Sequence, residues 1–131
     1  SNSDVSTTVP YTRGVKIVYG NYANKTINDF DLDLANTNAS VFILKETGSQ
    51  KQSVYINGIA GGTDGRIVTL KTDVSDQNFY LRIKNERSGS QAQNRFKIGR
   101  DVDVINGYGA ITFIYVAQDQ RWHLLSTGKI D

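Results

Sequence analysis

The chain has no cysteine and no methionine, and one proline, one histidine and one tryptophan among its 131 residues. Without cysteine there is no disulfide framework, no thiolate metal site and no cysteine nucleophile. Position 1 is serine, so a processed chain or an excised piece is expected. The lone histidine, His123, would have to be the general base of any Ser-His-Asp hydrolase, and no nucleophile elbow accompanies it. No run approaches the ~20 apolar residues of a membrane-spanning helix, and no signal-peptide layout opens the chain. A soluble protein without membrane insertion is expected. Charge of one sign is also scarce: 15 basic against 13 acidic residues leave a net charge of +2. Binding to nucleic acid needs clustered Lys and Arg. Here Lys16, Lys71, Arg66, Arg82, Arg95 and Arg121 are scattered. They read as solvated strand faces, and no nucleic-acid partner is expected.

What is present is strand after strand. A chain of this length makes one domain that can bury roughly 65–70% of its unfolded surface. VKIVY (15–19), DFDLDL (29–34), SVFILKE (40–46), SVYINGI (53–59), RIVTLKT (66–72), NFYLRIK (78–84), AITFIYV (110–116) and RWHLLS (121–126) are rich in β-branched and aromatic residues. Turn residues punctuate them about every eight to twelve positions, the signature of a sandwich, jelly roll or barrel. Asn57-Gly58, Asp64-Gly65 and Asn106-Gly107 supply residues that tolerate the positive φ of tight hairpins. No window holds a 3.6-residue apolar period with a cap and a stop. The sequence therefore predicts an all-β fold, an antiparallel sandwich or jelly-roll-like domain with little or no helix. Residues 1–12 read as an extended N-terminal arm and 13–131 as a single β-domain. The polar segment 86–94 (ERSGSQAQN) reads as the most mobile loop.

Two runs depart from half-buried alternation. VFIL (41–44) and ITFIYV (111–116) place apolar side chains on both strand faces. Such strands either lie centrally in the domain, with elements on each side, or have their second face covered by another subunit. A chain this short has little left to cover both faces, so a subunit interface is expected. The expected packing residues are Ile56, Ile67, Val68, Leu70, Leu81 and Ile83, followed by Ile111, Phe113, Tyr115, Trp122 and Leu124.

Candidate sites are few. Asp29, Asp31 and Asp33 resemble the start of a calcium loop, but Leu34 and Ser40 stand where an EF-hand needs glycine and glutamate. They read as a polar strand face. GIAGGTDG (58–65) lacks the Lys-Ser/Thr of a phosphate loop and precedes a strand, so a wide turn or bulge is expected. Trp122 reads as a core plug. Tyr22 and Tyr108, in polar turn regions, are the candidates for stacking on a sugar ring. No catalytic, cofactor or metal site is assigned.

The order of motifs carries a resemblance. An I-x-G-I segment (Ile56–Ile59) is followed by G-G-x-D-G (Gly61–Gly65), the strand IVTL, and a polar insertion ending in Asn94-Arg95-Phe96. A D-V-x-V-x-x-G step (Asp101–Gly107) and the pair ITFIY and RWHLLS complete it. Over about residues 54–126 the chain resembles the β-domains of bacteriophage tail fibres, head fibres and spikes. Arg121-Trp122 fits that pattern, and Val116 departs from the acid usual after the tyrosine. The resemblance implies a non-enzymatic structural protein of the virion, a homotrimer contacting other virion proteins, with loops free to meet a host surface glycan. The alternative is a carbohydrate-binding β-sandwich module.

Overall fold

The computed structural model describes residues 15–20, 30–34, 36–37, 39–46, 53–73, 80–104 and 108–128. Among these residues ten strands follow one another: β1 (Val15–Gly20), β2 (Phe30–Asp33), β3 (Val41–Glu46), β4 (Ser53–Ala60), β5 (Ile67–Thr72), β6 (Tyr80–Ile83), β7 (Phe96–Lys97), β8 (Val102–Val104), β9 (Ala110–Val116) and β10 (Arg121–Gly128). Among the described residues a 3-10 turn, Ala92–Asn94, interrupts them. Among the described residues there is no α-helix, as expected for an all-β chain. The N-terminal arm, Tyr22 and the Asn106-Gly107 turn lie outside the described residues.

The strands form two sheets, one in the order β1-β3-β5-β9-β10-β7 and one in the order β2-β4-β6-β8. The first six strands alternate between the sheets, and each lies parallel to the strand two places earlier. The chain is thus wound as a coil, with Val15 beside Val41 and Val41 beside Thr69 in the larger sheet. Only then do antiparallel pairings appear, β5 with β9, β9 with β10 and β6 with β8. The expected antiparallel pairing is therefore corrected: five of eight pairings are parallel. Alternation of side chains reports which face is buried and carries no information on strand direction. Consecutive strands among the first six therefore lie in different sheets, where hairpins would have placed them side by side.

Both sheets feed one core. Leu32, Ile56, Ile59, Leu81 and Ile83 come from the smaller sheet, and Phe42, Leu44, Val68, Leu70, Phe113 and Trp122 from the larger. In β9 burial alternates strictly, with Ile111, Phe113 and Tyr115 inward. Trp122 is fully buried, as the plug reading requires. Its Nε1 donates to the Ile59 carbonyl at 2.9 Å, which links β10 directly to β4, and its ring meets Tyr115 edge-on at 5.0 Å.

Two expected core residues are not core. In β5 the buried positions are Val68, Leu70 and Thr72, so Ile67 points the other way and is 48% exposed. Consecutive strand residues cannot both face one core. Leu124 shares the inward side with Trp122, yet it opens onto a cleft of about 520 Å³ with Ile98, Val102 and Arg82. It is 36% exposed. A register shift between Leu124 and Ser126 leaves Leu125 as an extra residue in β10.

Asn57-Gly58 is no hairpin turn. Both residues lie inside β4, and neither has positive φ. The register explains them: Phe30 pairs with Ile56 but Asp31 pairs with Gly58, so Asn57 is the extra residue of a bulge. That is why Ile56 and Ile59, three apart, are both fully buried. Asp64-Gly65 is a turn, with Gly65 at φ 82°, but it joins β4 to β5 across the two sheets, so it too is no hairpin.

Candidate functional site

Arg66 is not a solvated strand residue. Its guanidinium donates to four carbonyls: Nη1 to Leu34 at 2.9 Å and Gly61 at 3.1 Å, Nη2 to Thr37 at 2.8 Å and Ala39 at 3.3 Å. It clips the corner after β2 to the corner after β4, so that successive turns of the coil stack in register. A planar fork with five N–H donors suits this role, and a lysine could not span it.

The polar segment 86–94 is held down rather than standing free. Arg95 Nε donates to the Ser90 carbonyl at 2.9 Å, Tyr115 donates its hydroxyl to the Gln93 carbonyl at 2.9 Å, and Ser90 is 6% exposed. Gly58 allows the close approach: a Cβ there would collide with the Asn94 carbonyl. Asp31, from the smaller sheet, receives the hydroxyl of Ser90 on Oδ1 and the amide of Asn94 on Oδ2, the latter at 3.0 Å. These residues, with Asn57, Ala60 and Gln91, line a polar notch of about 460 Å³. Asn57 is 6% exposed, and its Oδ1 has no hydrogen-bond partner. In sequence Asp31 reads as part of a polar strand face, and Asn57, Ser90 and Asn94 carry no signal as a group. The bulge that turns Asn57 was detectable only as the odd spacing of Ile56 and Ile59.

A second polar cluster surrounds the face of Tyr55. Lys84 Nζ sits 5.0 Å from the ring centroid and Arg82 5.5 Å, and Lys84 pairs with Asp101 at 3.2 Å. Asp101 Oδ1 also accepts the Asn85 backbone N–H at 2.8 Å. Desolvation works to raise the Asp101 carboxyl, but the Asn85 N–H, Lys84 and Arg82 together hold it below the ordinary range. On β10, His123 Nε2 meets Asp119 at 2.9 Å, and Lys97 reaches the same carboxylate at 3.4 Å. Desolvation again opposes, and His123 and Lys97 win, keeping Asp119 low. Among the described residues His123 has no hydroxyl or thiol partner; its Nε2 meets the two carboxylate oxygens of Asp119. Among the described residues no group of three or more His, Cys, Asp or Glu could hold a metal ion. Tyr108 is 55% exposed beside β9; the other candidate, Tyr22, lies outside the described residues.

The outer face of the larger sheet is the remaining surface with a distinct character. Opposite the buried Phe42 and Leu44, Val41 and Ile43 are half-buried; opposite Phe113 and Tyr115 stand Thr112, Ile114 and Val116. Ile67 lies directly beside Ile114 in the register, and Thr69 and Thr112 share a hydroxyl hydrogen bond of 2.8 Å. In comparisons with known proteins, no family model and no curated sequence matches the chain.

Proposed function

We propose that this chain is a non-enzymatic structural protein of a phage virion, a part of a capsid- or tail-attached fibre, spike or decoration protein that assembles as a homotrimer. The observation that carries the reading is the outer face of the larger sheet. Parallel sheets are ordinarily covered on both sides. Here β1, β3 and β5 are parallel, yet Ile67 is 48% exposed next to Ile114, with Val41 and Ile43 on the same side. In this reading, copies of the chain cover that side, and the two-sheet layering serves as a sandwich-like module in the particle. Other virion proteins are the remaining partners, and solvent-facing loops are free to meet a host glycan. The motif resemblance over residues 54–126 supports the same assignment.

Light scattering during size-exclusion chromatography tests it. A mass three times that of the 14.5 kDa chain is expected. Ile67→Asp should convert the trimer to a folded monomer, because it places a charge in an apolar contact while leaving the chain's own core untouched. A wild-type chain that is monomeric at high micromolar concentration overturns the reading. The carbohydrate-binding alternative rests on Tyr108, the exposed aromatic among the described residues, and would need a second exposed ring to form a platform.

A further inference from the structure

The notch on the smaller sheet departs from the polar balance of the rest of the molecule. The bulge in β4 turns Asn57 out of the ladder, as bulges do when they re-aim a side chain. The result is an amide 94% removed from solvent that lines a notch and has an orphaned oxygen. An acceptor desolvated without a donor is unfavourable, and a donor from outside would relieve it. Beside it, the Asp31 carboxylate is held among the described residues by neutral donors, the Ser90 hydroxyl and the Asn94 amide. No Lys, Arg or His is among the described residues lining the notch. An occupant must therefore bring hydrogen-bond donors and positive charge together.

We propose that this notch receives a primary ammonium group, the side chain of a lysine presented by a protein partner. An ammonium has three donors and no acceptor, which matches an anionic wall with an orphaned carbonyl oxygen. Ala60 provides an apolar contact for the lysine stem. A divalent cation fits less well, because the notch offers a single carboxylate and calcium takes six to eight oxygens. A neutral sugar would leave the charge uncompensated and finds no aromatic ring in the lining. The proposal stands apart from the trimeric reading, since the notch belongs to the other sheet.

The test is an NMR titration of the full chain with Nα-acetyl-lysine-N′-methylamide, following the side-chain amide signals of Asn57 and Asn94. The norleucine analogue serves as the uncharged control. Saturable shifts in the millimolar range are expected with the lysine probe and not with the control. Asp31→Asn should weaken binding about tenfold or more, and raising salt from about 20 to 150 mM should weaken it further. Gln91→Glu, an exposed rim substitution that leaves the core alone, should tighten binding about threefold and keeps the test decisive if Asp31→Asn fails to fold. Dilution of the protein alone tests one source of the lysine: notch signals that move on dilution identify a second copy of this chain, and signals that stay exclude it. The proposal is overturned by equal shifts with the norleucine analogue, by unchanged affinity in Asp31→Asn and Gln91→Glu, or by saturation with calcium chloride or a monosaccharide and not with lysine.

Discussion

Trp122 offers the sharpest test of how the two sheets are held together. It is fully buried, donates to the Ile59 carbonyl at 2.9 Å and packs edge-on against Tyr115 at 72°. Trp122→Ala removes the largest buried side chain of the described core, and transfer plus cavity terms amount to about 3–5 kcal/mol. The orphaned Ile59 carbonyl adds roughly 1 kcal/mol. Trp122→Phe keeps most of the apolar volume and loses the N–H, so it should cost about 1–3 kcal/mol. With a urea slope of ~1.5 kcal/mol per molar, the alanine variant should melt about 3–4 M earlier than wild type. Melts must be run at one protein concentration, because any oligomer ties the midpoint to mass action. A loss below about 1 kcal/mol for alanine would remove Trp122 from the role of inter-sheet plug. Equal losses for Phe and Ala would mean that the hydrogen bond outweighs the packing.

Arg66→Met should cost about 2–3 kcal/mol in the same melts, because four carbonyls lose a charged donor, and Arg66→Lys should restore less than half of that. Gly62→Ala should destabilise by about 1–3 kcal/mol, since its methyl group would run into the Tyr115 ring that Trp122 holds in place. Thr72→Val should be stabilising by about 1 kcal/mol, because the Thr72 hydroxyl is buried without a partner. Acid stability should follow the depressed carboxyl of Asp101. A carboxyl lowered on folding contributes stability that is full above its unfolded pKa, about 3.9, and fades as pH falls through the lower folded value. Urea midpoints from pH 6 down to about pH 2.5 should therefore drop more steeply for wild type than for Asp101→Asn, with the two curves converging at the acid end.

Strand existence was legible because period-2 burial leaves a direct trace: in DFDLDL the buried Leu32 and Leu34 alternate with the more exposed Asp31 and Asp33, in sequence as in space. Trp122 was legible because a lone large aromatic in a strand run has few places to go but the core. Strand direction was not, since a coil through two sheets and a stack of hairpins leave the same alternation. Reading Ile67 and Val68 both as core ignored that one face must lose, and RIVTLKT by itself does not say which. The Arg66 clip was hidden because one arginine among scattered basic residues looks like any other until Leu34, Thr37, Ala39 and Gly61 are brought around it. The notch was hidden more deeply, being assembled from Asp31, Asn57, Ser90 and Asn94 on separate segments. Only the interval from Ile56 to Ile59 broke the strand period, and Asn57-Gly58 between them resembled a turn.

Two residues break local consistency in opposite senses: Ile67 is apolar where water reaches it, and Asn57 is polar where water does not. Sequences that specify one structure keep such conflicts few, and those that persist concentrate where something other than the fold is being served. Thr72 provides the internal control. It too is buried with an orphaned oxygen, but it lines neither the notch nor the cleft beside Leu124. An orphan outside both is plain cost to the folded chain, which is why its removal should stabilise. If orphaned oxygens here were merely tolerated imperfections, filling the notch with the lysine probe would leave the melting midpoint unchanged. If the Asn57 oxygen awaits a donor, saturating probe should raise the wild-type midpoint, as any ligand of the folded state does, and should leave that of Asp31→Asn where it was.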